Sequence, residues 1–318
     1  MFDNKVDISV VIPAYNEGGH LETSLLDVSQ HLARSQVTYE IILVDDGSSD
    51  ATWTAIKNLA DKDERIRGLR LSRNFGKESA MSAGLDNAQG DAVIVMDADM
   101  QHPPALIPEM ISLWKNEGAH VVDAVKKQRA REPFMRRLGA GIFNGLMRKM
   151  AGFDIAGASD YKLIDRRVID CWKQMPERQT FYRGMIEWLG FKHVRLPFEV
   201  QERVEGQSSW SYIKLAALSL TAVTSFTTLP LQLVTLLGVL FLVGAFLMGL
   251  WTLYIWFTGQ AISGFSTVIL LQLINGSIFM MSLGILGRYI ANIYQEIKQR
   301  PRYIISEHAN LEPTRRIH

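Results

Sequence analysis

"VIVMDADMQHPP" (93–104) holds four apolar residues, two aspartates spaced one apart, then a glutamine, a histidine and two prolines. An unbroken apolar run of this length reads as a strand buried on both faces. Proline cannot donate to a ladder, so the strand stops before Pro103. Carboxylates placed at the end of such a strand are costly unless something positive lies between them. Along an extended segment, residues two apart face one side, so Asp97, Asp99 and Gln101 can converge. Three oxygen donors suit a hard cation such as Mg2+ or Mn2+, whose remaining positions go to phosphate and water. A calcium EF-hand loop would need glycine at its sixth position, where His102 stands, so that reading fails. Acids spaced by one also occur in surface loops, and the position after an apolar strand is what favours the metal. His102 reads as an exposed loop residue.

Working outward, "ISVVIP" (8–13), "EIILVDD" (40–46), "IRGLRLS" (66–72), "AVIVMD" (92–97) and "HVVDAV" (120–125) read as buried strands. Helix-like stretches separate them, such as "SDATWTAIKNLADKD" (49–63), for which Ser49 or Asp50 is a natural N-cap. This alternation predicts an α/β domain with a mostly parallel sheet. Ligands of such sheets bind beyond the carboxyl ends of the strands. Those ends carry "PAYNE", "DDGSSD" and "DADMQ". Asp45 and Asp46 sit there to accept hydrogen bonds from a base or a ribose, although a turn and a helix cap would also explain them.

Charge divides the chain. Between Lys214 and Arg288 there is no Asp, Glu, Lys or Arg. Residues 231–257 are long enough to span a bilayer, at about 1.5 Å per residue against a core of about 30 Å, and residues 266–287 supply a second span. Trp251, Tyr254 and Trp256 favour an interface. Lys214 precedes the pair and Arg288, Lys298, Arg300 and Arg302 follow it, so the positive-inside rule places the whole N-terminal domain and both termini in the cytoplasm, with the spans in the inner (plasma) membrane. Leu215, Leu218, Ala222, Phe226 and Leu229 recur at helical spacing, as in a helix lying on the bilayer surface, with the first turn of a longer tilted span as the alternative. The expected layout is a soluble domain (1–210), an amphipathic interface helix (211–229), a two-helix transmembrane hairpin (230–290) and a cytoplasmic C-terminal tail (291–318). Two bare spans and a surface helix leave apolar area through which copies can associate as a homo-oligomer.

The whole composition excludes some classes. With 34 basic and 33 acidic side chains there is no general attraction to nucleic acid. A single cysteine, Cys171, rules out an intramolecular disulfide and suits a reducing compartment. The start "MFDNKVDISVVIP" lacks the basic and apolar regions of a signal peptide.

Together "VVIPAYNE", "EIILVDDGSSDAT", "LSRNFGKESAMSAGLDNAQGD", "VIVMDADMQHPPALIPEM", "IYQEIKQRPRY" and the two spans resemble the polyprenyl-phosphate glycosyltransferases. These are membrane-anchored GT-A enzymes of family 2, among them the bactoprenol glucosyltransferases and dolichol-phosphate mannose synthase. The resemblance covers nearly the whole chain. It implies a nucleotide-sugar donor, a divalent cation (Mg2+ or Mn2+) and a polyprenyl (undecaprenyl) phosphate acceptor in the membrane. It implies that Pro13, Ala14, Tyr15, Glu17 and Asp46 line the nucleoside pocket, and that Asp97, Asp99 and Gln101 hold the metal on the donor diphosphate. Lys126 stands where the family often has arginine, giving charge without a bidentate fork. Arg129, Arg136 and Arg137 are candidates for phosphate binding, or equally for solvated helix charges. Asp160 matches the acid near the acceptor, and Arg203 the arginine over the donor diphosphate. Ser209 replaces a lysine common in the family.

Glucose from UDP-glucose is the expected transfer, with mannose or an amino-arabinose as alternatives. A processive polysaccharide synthase would carry a Gln-x-x-Arg-Trp motif, absent here. A non-catalytic scaffold would not need Asp97 and Asp99.

Overall fold

Every residue of β1 (Ile8–Ala14) and β2 (Tyr39–Asp45) is buried, as expected for strands covered on both faces. The computed structural model describes residues 5–98, 102–126, 145, 158–175, 177, 181–198, 229–258 and 264–310. The chain divides into two compact units: Met1–Ser209 with Arg300–His318, and Trp210–Gln299.

The first unit is built on an eight-stranded sheet. Besides β1 and β2 it contains β3 (Ile66–Leu71), β4 (Ala92–Val95), β5 (Val121–Lys126), β6 (Ala158–Asp165), β7 (His193–Phe198) and β8 (Ile305–Ala309). Their order is β7-β5-β6-β4-β1-β2-β3-β8. β4, β1, β2 and β3 run parallel; β6 is antiparallel to both β4 and β5, and β5 pairs parallel with β7. The helices α1 (Leu21–Arg34), α2 (Thr52–Lys62), α3 (Lys77–Asn87) and α4 (Ile107–Glu117) connect the first five strands.

Two glycines place the site. A Cβ at Gly84 would lie 2.2 Å from Val11 Cγ1, so its absence lets α3 press against β1. Gly47 has φ +67°, and a Cβ there would lie 2.4 Å from the Arg73 carbonyl carbon. The turn after β2 can therefore pack against the loop that starts α3.

Two expectations are revised here. The residue at the cap of α2 is Ala51, yet Asp50 Oδ1 still accepts from Thr52 N (3.0 Å) and from the Thr52 hydroxyl (2.5 Å). The segment read as a tail supplies β8, which pairs antiparallel with β3. An open edge of buried apolar strand invites pairing, and β8 covers it. Trp53 Nε1 donates to Glu307 Oε2 (2.9 Å), Arg70 Nη1 to Glu307 Oε1 (2.7 Å), and the Tyr303 hydroxyl to Asp86 Oδ2 (2.8 Å).

In the second unit two helices are long and apolar enough to cross a membrane: Leu229–Phe257, of 29 residues, and Phe265–Ile297, of 33. The second continues ten residues beyond the expected end at 287, because "RYIANIYQEI" has no helix breaker once it turns polar. The surface helix expected at 211–229 lies outside the described residues except for Leu229.

Candidate active site

The carboxyl ends of β1, β2 and β4 meet the start of α3 around a cavity of about 290 Å3. Its lining includes Pro13, Ala14, Tyr15, Glu17, Asp46 and Asp97, six residues singled out from the sequence, with Asn74, Gly76, Lys77, Ala80 and Ala98.

The floor is laced together by backbone-directed bonds. After β1 the chain turns through Asn16, at φ 57°, whose N–H donates to Ser48 Oγ (2.9 Å) while its side-chain oxygen accepts from Ser49 N (3.0 Å). Glu17 N donates to Thr52 Oγ1 (2.9 Å). Asp45 Oδ1 accepts from Ser48 N (2.9 Å), and its Oδ2 lies 3.3 Å from Arg70 Nε. Asp46 accepts from Phe75 N (2.8 Å) with one oxygen and from Gly76 N (2.9 Å) with the other. Burial pushes the Asp46 carboxyl up, against the pull of those two amides. Asp46 thus pins the loop before α3 as well as facing the cavity.

The opening turn of α3 brings a cation into the site. Gly76, at φ 96°, swings the chain so that Lys77 is the first helical residue. A lysine there opposes the helix dipole, so its position answers to something else. Its ammonium lies 2.6 Å from Asp97 Oδ1 and 2.6 Å from Asp160 Oδ2. Burial alone would lower the Lys77 pKa; Asp97 and Asp160 outweigh it and raise it. Asp160 also accepts from Arg183 Nε (2.7 Å) and Nη2 (3.1 Å). Burial would raise the Asp160 carboxyl, yet Arg183 and Lys77 hold it far below the usual carboxylate range. Asp160 is therefore a fixed anion and a poor proton acceptor. Beside it Glu78, which accepts from Tyr182 N (2.8 Å), is pushed by burial from 4.5 to about 7.

His102 is not the exposed loop residue expected; it is 2% exposed. Its Nδ1 accepts from Asp97 N (2.9 Å), and its ring stacks on Tyr161 at 5.0 Å. The Tyr161 hydroxyl donates to Pro103 O (3.1 Å). One histidine thereby holds both arms of the loop that follows β4.

Asp99, Gln101, Arg129, Arg136, Arg137 and Arg203 lie outside the described residues, as does the side chain of Lys126 at the end of β5. Sequence reasoning gave no role to Lys77 or Arg183; the one signal was a Gly-Lys step opening a helix against its dipole.

Among the described residues a different trio, Asp123, Glu187 and His193, has ligand atoms within 4.8 Å of one another. His193 Nδ1 lies 2.6 Å from Asp123 Oδ2 and 3.6 Å from Glu187 Oε1. The fully buried Lys162 ammonium pairs with the remaining Asp123 oxygen, and burial lowers that lysine to about 7.

The family model described as Glycosyl transferase family 2 matches residues 9–171. A glycosyltransferase of Synechocystis sp. is 37% identical over 312 residues, covering 96% of this chain and 97% of its own. A prophage bactoprenol glucosyl transferase homolog of Escherichia coli (strain K12) is 36% identical, covering 94% of this chain and 98% of its own. The bactoprenol glucosyl transferase of Shigella phage SfII is 35% identical over 94% of this chain and 97% of its own. Among solved structures, glucosyl-3-phosphoglycerate synthase from Mycobacterium tuberculosis with Mn2+, UDP and phosphoglyceric acid superposes with a TM-score of 0.50. It is 21% identical and covers 69% of this chain and 76% of that one, a likeness of fold. The chain belongs to glycosyltransferase family 2 and is a glycosyltransferase with a GT-A fold.

Proposed function

We propose that this enzyme transfers glucose from UDP-glucose to polyprenyl phosphate, with inversion, at the cytoplasmic face of a membrane. The observation that carries the reading is the pairing, in one chain, of the Asp46–Lys77–Asp97 cavity with two apolar helices of 29 and 33 residues. Relatives about 35% identical over 94% of the chain are named bactoprenol glucosyl transferases, which supports a lipid-phosphate acceptor and glucose as the sugar. Basic residues flanking the helices support cytoplasmic termini.

A lipid phosphate monoester has a second pKa of about 6, so near neutrality it is largely a dianion. One of its oxygens supplies an electron pair to C1 of the sugar as the bond from C1 to the diphosphate oxygen breaks. The acceptor's pair becomes the new bond to C1, the pair of the broken bond leaves with UDP, and the configuration at C1 inverts. No proton has to be removed from the acceptor, which agrees with an Asp160 held ionised by Lys77 and Arg183. Asp160 positions those two cations, and they supply positive charge beside the reacting phosphates, where preorganised charge lowers the barrier most. Arg203 and the basic residues Lys126, Arg129, Arg136 and Arg137 are assigned to donor and acceptor phosphates.

A divalent cation fits the Asp97 end of the site. Asp97 Oδ1 is a buried carboxylate oxygen that lines the cavity and already faces a positive charge, and its neighbours Asp99 and Gln101 add oxygen donors. When bound, Mg2+ or Mn2+ neutralises charge on the departing diphosphate.

The test incubates membranes holding the protein with radiolabelled UDP-glucose and undecaprenyl phosphate, then extracts lipid. Label should enter an organic-soluble product, stop with chelator and return with Mg2+ or Mn2+. Entry from GDP-mannose or a nucleotide amino-arabinose in place of UDP-glucose would reassign the sugar. A lipid phase without label from any donor would overturn the acceptor.

A further inference from the structure

Lys77 contacts two carboxylates: its ammonium lies 2.6 Å from Asp160 Oδ2 and 2.6 Å from Asp97 Oδ1. The surroundings of the two acids differ. Asp160 is buried and holds Arg183 through two bonds, so it keeps a cation whatever Lys77 does. Asp97 is more open, with its side chain 25% exposed on the cavity, and its main chain is fixed by His102. Lys77 itself is 43% exposed along its side chain and begins a helix behind a glycine.

We propose that Lys77 is a tethered counter-ion of the divalent-cation site. It neutralises Asp97 when no metal is bound and yields that carboxylate to the arriving ion, remaining on Asp160. Asp97 is then never left without a counter-charge. The ion must displace an ammonium to bind alone, whereas an ion arriving with a diphosphate brings anionic oxygens that the freed lysine can meet. Metal binding and donor binding are coupled through this one side chain. The inference rests on the reading of Asp97 as a metal ligand and adds the residue that sets the ion's affinity.

The experiment measures Mn2+ binding to the detergent-solubilised full-length protein without nucleotide, from the electron paramagnetic resonance signal of free Mn2+. Lys77→Gln keeps a side chain of similar reach without charge, and Lys77→Met keeps the apolar stem. Each should bind Mn2+ more tightly than wild type, on the order of tenfold, the factor of a partly buried ion pair released from competition. Lys77→Arg retains the charge and should stay near wild type. Adding UDP should tighten Mn2+ binding strongly in wild type and much less in Lys77→Gln. Two neutral variants, checked for native circular dichroism, keep the comparison open if one of them does not fold. Equal Mn2+ affinity in wild type and the neutral variants overturns the role of Lys77 and leaves the metal site standing. No Mn2+ bound by any variant, with or without UDP, overturns both.

Discussion

Replacing Glu78 with glutamine should make the protein more stable at pH 8. Glu78 lies in the first turn of α3, wedged beside Asp160, Lys77, Arg183 and Tyr182, and burial lifts its carboxyl from 4.5 to about 7. The folded state therefore holds a proton between those two values that the unfolded state has released. Stability falls as pH rises through that window, and the penalty is complete above about 7. A displacement from 4.5 to about 7 corresponds to roughly 3 kcal/mol at most. Glutamine does not titrate, and its side-chain oxygen can still accept from Tyr182 N, the bond now made at 2.8 Å. The assay is thermal unfolding of the solubilised protein by near-ultraviolet circular dichroism, from pH 5 to 8.5. At pH 5 the two proteins should match closely. At pH 8.5 the variant should melt higher, by up to about 10 °C if each kcal/mol moves the midpoint by about 3 °C. A wild-type midpoint that is flat from pH 5 to 8, or a variant with no advantage at pH 8.5, would refute the reasoning.

Asp160→Asn should cut transfer by a hundredfold or more, since it removes the anion that positions Lys77 and Arg183 beside charges developing in the transition state, an effect of about 3 kcal/mol. With its pKa depressed, Asp160 contributes stability at all pH values above the ordinary carboxylate range. It loses that contribution only as pH falls toward its lowered value, so acid unfolding of wild type should begin lower than that of the variant, followed by circular dichroism. His102→Phe keeps the ring on Tyr161 but leaves Asp97 N–H without its acceptor; a loss of about 1–3 kcal/mol in denaturant unfolding is expected, with weaker Mn2+ binding. Glu307→Ala leaves Trp53 and Arg70 without their shared acceptor, and the KM for the donor should rise severalfold with kcat nearly unchanged.

The sheet was legible because its information is local. Residues 8–13, 40–46 and 92–97 are mostly apolar without alternation, and polar residues end or follow each run. Strands of that kind, separated by helical stretches, leave little choice of architecture, and the cavity follows from it. Lys77 could not be found in this way. It meets Asp97 twenty residues on and Asp160 eighty-three residues on, and a lone lysine in "NFGKES" looks like any solvated charge until both partners are placed. His102 misled for a related reason: loop position suggests exposure, whereas Tyr161, 59 residues away, provides the surface that buries it.

The C-terminal strand carries the point furthest. "ISEHA" (305–309) has too few apolar residues to announce a strand, and its pairing is decided by the open edge of β3. Register then sets Glu307 opposite Arg70. Arg70 reaches from that pair to Asp45 Oδ2 at 3.3 Å, and Asp45 anchors Ser48 in the turn that closes the cavity floor. Residues that follow the apolar helices in the chain thus brace the turn next to Asp46. If the brace matters for donor binding, the effect of Glu307→Ala must pass through Arg70. Arg70→Ala should then weaken UDP binding as Glu307→Ala does, and the double variant should be no worse than Arg70→Ala alone. Additive losses would mean that β8 and Arg70 act separately, and that the strand serves only to cover the edge of the sheet.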